Sequence, residues 1–336
     1  MIFSALLQDT DFRERIITEL NKSDQEIEYI IPNKIPCLCR YRSISKYSVD
    51  DIVNNSLTLS AASEYNDIFD STMCIFSNDE ELDALVDKDL EGLSAIGGNN
   101  NYFRNKSKII YQKEAELKKN TVNYLGAHFC CFSTIDSSIL MWAHYANNNT
   151  GLCLKYDTNG DNDLFKKYAF PVAYRSKPVN VAQLLFDKSE KNQHGIELAV
   201  MLSVLCKFEI WSYEQEWRLI SPLLPDDEGK PRFNLINVPR IKEIIFGTHF
   251  LKNCFGDNSE EGINNLNRII SYANEKDIPL FIVLPDIGRF NLTKHKLDKL
   301  KLDKFFDREI NGKKKNILQY GTIKRIFLKE LCGFIL

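Results

Sequence analysis

A chain of 336 residues, 44% hydrophobic and 26% charged, can bury one substantial core or a core with a subsidiary unit, and is neither fibrous nor disordered. Its formal charge of -3 is close to balance, so no overall field draws it to nucleic acid or an anionic membrane, and any polyanion site must be local. The nine cysteines sit mainly among apolar residues without a C-x-x-C pair, the pattern of reduced, buried thiols in a cytoplasmic protein.

Neither Cys37-x-Cys39 nor Cys130-Cys131, with His128 or His144 as partners, has zinc-knuckle spacing, so no metal is expected. Met1 to Leu7 is apolar but runs into Asp9, Asp11 and Glu14 instead of a small-residue cleavage site. No apolar run approaches the roughly 18 residues that cross a bilayer, so a cytoplasmic location without a membrane partner is the expectation.

In chain order, Phe12, Ile16, Ile17 and Leu20 have helical spacing, and residues 27–36 form an extended lead-in. Cys37 to Ser43 reads as the first core strand, Ser48 as the cap of a short helix through Val49, Ile52 and Val53, and Leu57 to Ser60 as the second strand. A polar loop with aromatic anchors, Ser63 to Asp70, precedes a helix over residues 79–93, a break at Gly97-Gly98-Asn99-Asn100-Asn101, and a second helix reaching Leu125.

His128 to Ser133 is a strong strand, and Asp136 to Tyr145 a short helix capped by Asp136 or Ser137. Asn147 to Gly151 is a turn, and Leu152 to Tyr156, Phe170 to Tyr174 and residues 216–221 are strands, with a long helix over about 190–207 before the last of them. Pro222 to Pro231 is a loop, Ile241 to Gly247 a strand, and a helix over 260–276 feeds a strand from Leu280 to Leu284.

Strands and helices intermix without strict alternation. This favours an α+β fold, a mixed and mostly antiparallel central sheet with flanking helices, over a doubly wound one. Three segments are expected: a helical lead-in (1–36), the α+β core (37–285) and a lysine-rich extension (286–336). The lysines of that extension, Lys313-Lys314-Lys315 among them, are interleaved with Asp298, Asp303, Asp307 and Glu309, as on a solvated helix face, though a nucleic-acid contact is open to them. There is no G-x-x-x-x-G-K-[ST] or G-x-G-x-x-G loop.

Three separated motifs could work together: Arg40-Tyr41-Arg42, Ser133-Thr134, and Glu214-Gln215-Glu216. On one strand face, Arg40 and Arg42 would fork a phosphate group, and Glu214 and Glu216 would raise each other's pKa. The bland alternative is an ion-pair network across neighbouring strands. With NAD as the ligand, Glu216 would face the oxocarbenium charge built as the bond to nicotinamide breaks, and Glu214 would orient or deprotonate an acceptor. Ser133 or Thr134 would hold the nicotinamide side and the arginines the pyrophosphate. His144 and Tyr145, after Trp142, would contact the cofactor or, for the aromatics, anchor the core.

The order and spacing of Cys39 to Ser43, Leu57 to Asp70, Cys131 to Leu154 and Trp211 to Arg218 resemble the bacterial family of domains of unknown function numbered 2971, over roughly residues 37–285. The resemblance implies a fold family but little biochemistry. A second, weaker resemblance is to ADP-ribosyltransferases, through Arg40 or Arg42, Ser133-Thr134 and Glu214-Gln215-Glu216. It implies a nucleotide ligand, NAD as substrate, no metal, and a protein or nucleic-acid acceptor; Ile135 stands where those enzymes often have serine, and two arginines where one is expected.

Three functions therefore compete. One is an NAD-dependent ADP-ribosyltransferase or NAD glycohydrolase acting in phage defence. Another is a metal-dependent nuclease built on Asp67, Asp70 and Asp157, although Arg218 stands where a nuclease signature needs lysine. The third is a non-catalytic sensor or interaction protein whose motifs only pack the core.

Overall fold

The computed structural model describes residues 5–21, 35–71, 73–91, 100–124, 128–187, 189, 192–221, 232–286, 288–311 and 319–332. The first helix, α1 (Thr10–Leu20), is capped by Asp9, whose carboxylate accepts the Phe12 N–H at 2.8 Å, and it buries Phe12, Ile16 and Leu20. Strand β1 (Cys39–Arg42) leads to α2 (Lys46–Val53), and here the cap is Ser45, not Ser48. Ser48 is the third helical residue and returns its hydroxyl to the Ser45 N–H, closing a reciprocal capping box. Then come β2 (Ser56–Ala61), α3 (Asp79–Glu91) and α4 (Asn100–Tyr124).

Strand β3 (His128–Ser133) and β4 (Leu152–Tyr156) have the limits read from the sequence, and between them α5 (Ile139–Tyr145) starts on a Ser138 cap. The strand read over Phe170 to Tyr174 divides at Val172 into β5 (Ala169–Pro171) and β6 (Ala173–Arg175), which join different sheets. The long helix read before the carboxylates is shorter, α6 (Gly195–Val204), because Cys206–Phe208 leaves it as β7 beside β6. A 3-10 turn (Glu209–Glu214) leads into β8 (Glu216–Ile220).

Two further strands have no counterpart in the sequence reading, β9 (Arg232–Ile236) and β12 (Asn291–Lys296). Between them lie β10 (Ile241–Phe246), α7 (Ser259–Glu275) and β11 (Leu280–Asp286). Helices α8 (Lys299–Phe305) and α9 (Tyr320–Cys332) follow. Lys313 to Lys315 lie outside the described residues.

The fold is α+β, and the described residues form a ten-stranded, mixed and mostly antiparallel sheet in the order β12-β11-β10-β4-β1-β3-β2-β9, with β8 and β5 attached through β3. The parallel pair within it is β10 with β11. Strand β12 pairs with β11 from Asp286 to Phe281, so residues 291–296 form the edge of the same sheet. Strand alternation sorts side chains between two cores. Cys39 and Tyr41, Cys153, Ile245 and Val283 face α5, whose Trp142 is fully buried, while Leu152, Leu154, Ile244 and Phe246 join the larger core on the other side. Tyr41 meets Trp142 edge to face at 5.2 Å, which fixes α5 over β1.

One irregularity in this sheet makes the site. Strands β1 and β3 pair only at Cys39 and Ser133, whereas β1 pairs with β4 over four residues and β3 with β8 over five. Beyond that single pair β1 and β3 splay apart, and β3 takes up β2 only at its other end, through Phe129 and His128. A wedge is left between Arg40–Arg42 and Cys131–Phe132. Among the described residues no helix is long and apolar enough to cross a membrane.

Candidate functional site

The wedge is a cleft of about 220 Å³ whose lining includes Arg40, Tyr41, Arg42, Ser133, Tyr145, Glu214 and Glu216. Three motifs far apart in sequence thus share one cavity. Thr134 and His144 lie outside the lining. Thr134 donates its hydroxyl to the Gln215 side-chain oxygen at 2.7 Å, and the His144 ring meets the Tyr213 hydroxyl at 3.1 Å.

The two carboxylates do not share a strand face as their spacing suggests, since Glu214 ends the 3-10 turn and Glu216 opens β8. Gln215 between them takes the left-handed conformation, φ 44°, uncommon outside glycine. β3 holds this turn: the Ser133 hydroxyl donates to the Glu214 carbonyl at 2.6 Å and the Thr134 N–H to the Gln215 carbonyl at 3.2 Å. Tyr174 adds its hydroxyl as acceptor for the Glu216 N–H at 2.8 Å. The Ser-Thr pair therefore positions the acidic turn through hydrogen bonds to its backbone.

Both carboxylates converge on Lys207, whose ammonium lies 2.6 Å from Glu214 and 3.1 Å from Glu216 with all three side chains nearly buried. Arg218, fully buried, continues the chain: Nε meets Glu216 at 2.7 Å and the two terminal nitrogens grip both Asp70 oxygens at 2.7 Å. The remaining N–H groups reach the Val204 carbonyl at 2.5 Å and the second Glu216 oxygen at 3.3 Å, so all five guanidinium donors are used. The plane also covers the Phe129 ring at 4.4 Å. At the other end Tyr145 donates its hydroxyl to Glu214 at 2.5 Å. Hydroxyl, carboxylate, ammonium, carboxylate, guanidinium and carboxylate thus alternate through the cleft wall, and each buried charge has an opposite neighbour.

The two glutamates are pushed in opposite directions. Burial raises both, but at Glu216 the attraction of Arg218 and then Lys207 outweighs it and holds the carboxyl at about 2. Glu214 has Lys207 to oppose burial and, without a guanidinium, also feels the Glu216 charge; its pKa stays above the ordinary value. Lys207 is raised, since the two glutamates outweigh the burial that would lower it. One carboxylate is permanently charged and its neighbour takes up a proton more readily, a division of labour found at acid-base sites.

The opposite wall is less completely neutralised. Arg40 and Arg42 stand 3.9 and 3.7 Å from Asp51, which also accepts the Ser56 hydroxyl and the Thr58 hydroxyl. Arg40 spends one N–H on the Thr58 carbonyl at 2.9 Å. The charge of Arg40, followed by burial, lowers Arg42 to about 10, so the two guanidiniums repel across the wall and a second anion would relieve them. Tyr41 turns away: its hydroxyl donates to the Ile135 carbonyl at 2.8 Å.

The acids named for a metal do not assemble. Asp70 is held by Arg218, and Asp67 and Asp157 accept the N–H groups two residues ahead, of Phe69 and Asn159, in their own turns. Among the described residues no group of three or more His, Cys, Asp or Glu side chains could hold a metal ion. Lys207 and Asp51 were not singled out in the sequence. A lone lysine inside Leu205-Cys206-Lys207-Phe208 is the signal that could have marked the first.

No curated protein and no solved structure matches the chain. The model of one family, described as a protein of unknown function (DUF2971), matches residues 141–219, a stretch running from the start of the Trp142 helix through Lys207 and both glutamates to Leu219. The match supports the likeness carried by the spacing of the motifs, over that stretch of the chain.

Proposed function

We propose that the cleft between β1 and β3 binds NAD and that the chain is an ADP-ribosyltransferase or NAD glycohydrolase. One observation carries this reading: the arginine pair of β1 and the acidic pair at the entrance to β8 line the same cavity, cations on one wall and two differently tuned carboxylates on the other.

Arg42, whose charge is the less well matched, meets the pyrophosphate with Arg40 beside it. Glu216, ionised throughout the physiological range, faces the positive charge that grows on the ribose as nicotinamide leaves. Its oxygens already accept from Arg218, Lys207 and the Cys131 thiol. A thiol is the weakest of these donors and Cys131 lines the cleft, so a ribose hydroxyl takes its place. Glu214, with its raised pKa and the Tyr145 hydroxyl on one oxygen, receives the proton of the attacking water or acceptor hydroxyl.

Nicotinamide release from NAD tests the reading. Wild type turns NAD over without added metal, and Glu216→Gln, which keeps the hydrogen-bonding shape but not the charge, loses at least about a hundredfold in kcat while unfolding at a similar urea concentration. Turnover unchanged by Glu216→Gln would overturn it. A protein that neither binds nor consumes NAD would leave the network as a packing device.

A further inference from the structure

A second cavity, of about 250 Å³, lies behind Lys207 on the side of β6 and β7 away from the cleft. Its walls are mostly apolar, from Phe69, Pro178, Val179, Leu202 and Phe208, and two of these rings are unusually open, Phe69 at 68% and Phe208 at 45% exposure.

The polar atoms of this cavity are one-sided. Arg175, Lys177 and Lys207 line it and no carboxylate does. Lys207 is neutralised by Glu214 and Glu216 from the cleft side. Arg175 is not: one terminal nitrogen donates to the Glu19 and Leu20 carbonyls, which carry no charge, and its Nε is buried without a hydrogen-bond partner. A buried guanidinium N–H without a partner is costly, and neither neutral carbonyl matches the Arg175 charge.

We infer that this cavity is a binding site for an apolar carboxylic acid, an aromatic or branched body whose carboxylate lies toward Arg175 and Lys177. The apolar walls supply the affinity by burial and the cations select the anion. The shared chemistry admits a free aromatic acid or the C-terminal residue of a polypeptide. The site shares Lys207 with the cleft but takes its anion on Arg175 and Lys177, so its occupation does not depend on NAD.

The probes are 3-phenylpropionate, its neutral amide, and N-acetylphenylalanine as the peptide-end mimic, titrated into the full chain with ¹⁵N amide shifts as readout. The carboxylates are expected to bind about tenfold more tightly than the amide, with shifts centred on Ser176, Val179 and Phe208. N-acetylphenylalanine binding more tightly than 3-phenylpropionate identifies a polypeptide end; the reverse identifies a free acid. Phe208→Ser and Lys177→Glu, both at exposed positions, should each weaken binding about tenfold without changing NAD turnover. Equal affinity for acid and amide, binding untouched by both variants, or no shifts at 10 mM of either acid (about 10 mM being weaker than any built site) would overturn the inference, whatever the outcome with NAD.

Discussion

Replacing Lys207 by methionine removes the ammonium that stands 2.6 and 3.1 Å from two buried carboxylates. At about 3 Å and an effective dielectric near 20, each attraction is worth on the order of 5 kcal/mol gross, most of it offset in the native protein by desolvation. Breaking such a buried pair from one side typically costs about 3–5 kcal/mol, because the partner is left charged and dry. Glu214 has an escape that limits the loss. Its pKa is already above the ordinary 4.5, and without Lys207 it rises further, so the variant folds with Glu214 protonated.

Taking up that proton at pH 7 from a group of ordinary pKa 4.5 costs roughly 3 kcal/mol, and about 1.4 kcal/mol less for each unit the pH falls. The sign follows from the linkage: a carboxyl whose folded pKa is raised contributes stability that is full below the unfolded value and is lost as pH rises through the folded one. Glu216, still held low by Arg218, gives no slope in this window, because a depressed carboxyl loses its contribution only as pH falls from about 4.5 toward about 2.

Urea unfolding followed by tryptophan fluorescence at pH 5, 6, 7 and 8 should therefore show Lys207→Met little changed at pH 5 and progressively weaker above it. Adding Glu214→Gln should flatten the slope. A loss below about 1 kcal/mol at pH 8, or one with no pH dependence, would refute the linked network as described.

Two further substitutions test the other wall. Arg42→Ala removes a guanidinium that is only 3.7 Å from its carboxylate and repelled by Arg40, so stability should hold while NAD affinity, measured by calorimetry, falls about tenfold with a shallower salt dependence; unchanged affinity would remove Arg42 from the site. Gly151→Ala brings a Cβ against the Arg42 carbonyl and to 2.8 Å from the Ala146 carbonyl, both backbone, so the turn before β4 must move. A loss of about 1–3 kcal/mol in urea unfolding, with weakened NAD binding through displaced Arg42, is the expected result; a neutral substitution would contradict the close approach.

The strands that build the wedge were legible because both their faces are buried, giving continuous apolar runs such as Phe129 to Phe132 and Leu152 to Leu154 bounded by polar turns. Strand β12, Asn291 to Lys296, was not: it is an edge strand carrying lysines and a histidine, and such strands lack the apolar pattern that marks a centre. Strand β9 alternates Phe233 and Leu235 with polar residues and was recoverable, but a single short alternation beside the proline-containing sequence from Pro222 to Pro231 is easily passed over.

The cavity's membership followed from residue type, since arginine pairs and acidic doublets are costly to bury and tend to be brought together. The partners did not follow. Lys207, Asp51 and Asp70 reach the site only through the splayed sheet and the β6–β7 pair, which no local periodicity encodes. The change of direction at Gln215 likewise depends on Ser133 and Thr134, 81 residues away, which hold the Glu214 carbonyl and the Gln215 side chain.

The claim that the cleft is an NAD site is tested most directly by a crystal structure of the Glu216→Gln variant soaked with NAD. The account requires density for the dinucleotide between β1 and β3, with its pyrophosphate on Arg42 and its ribose hydroxyls against residue 216. Density elsewhere on the molecule, or a cleft unchanged at saturating NAD, would contradict it.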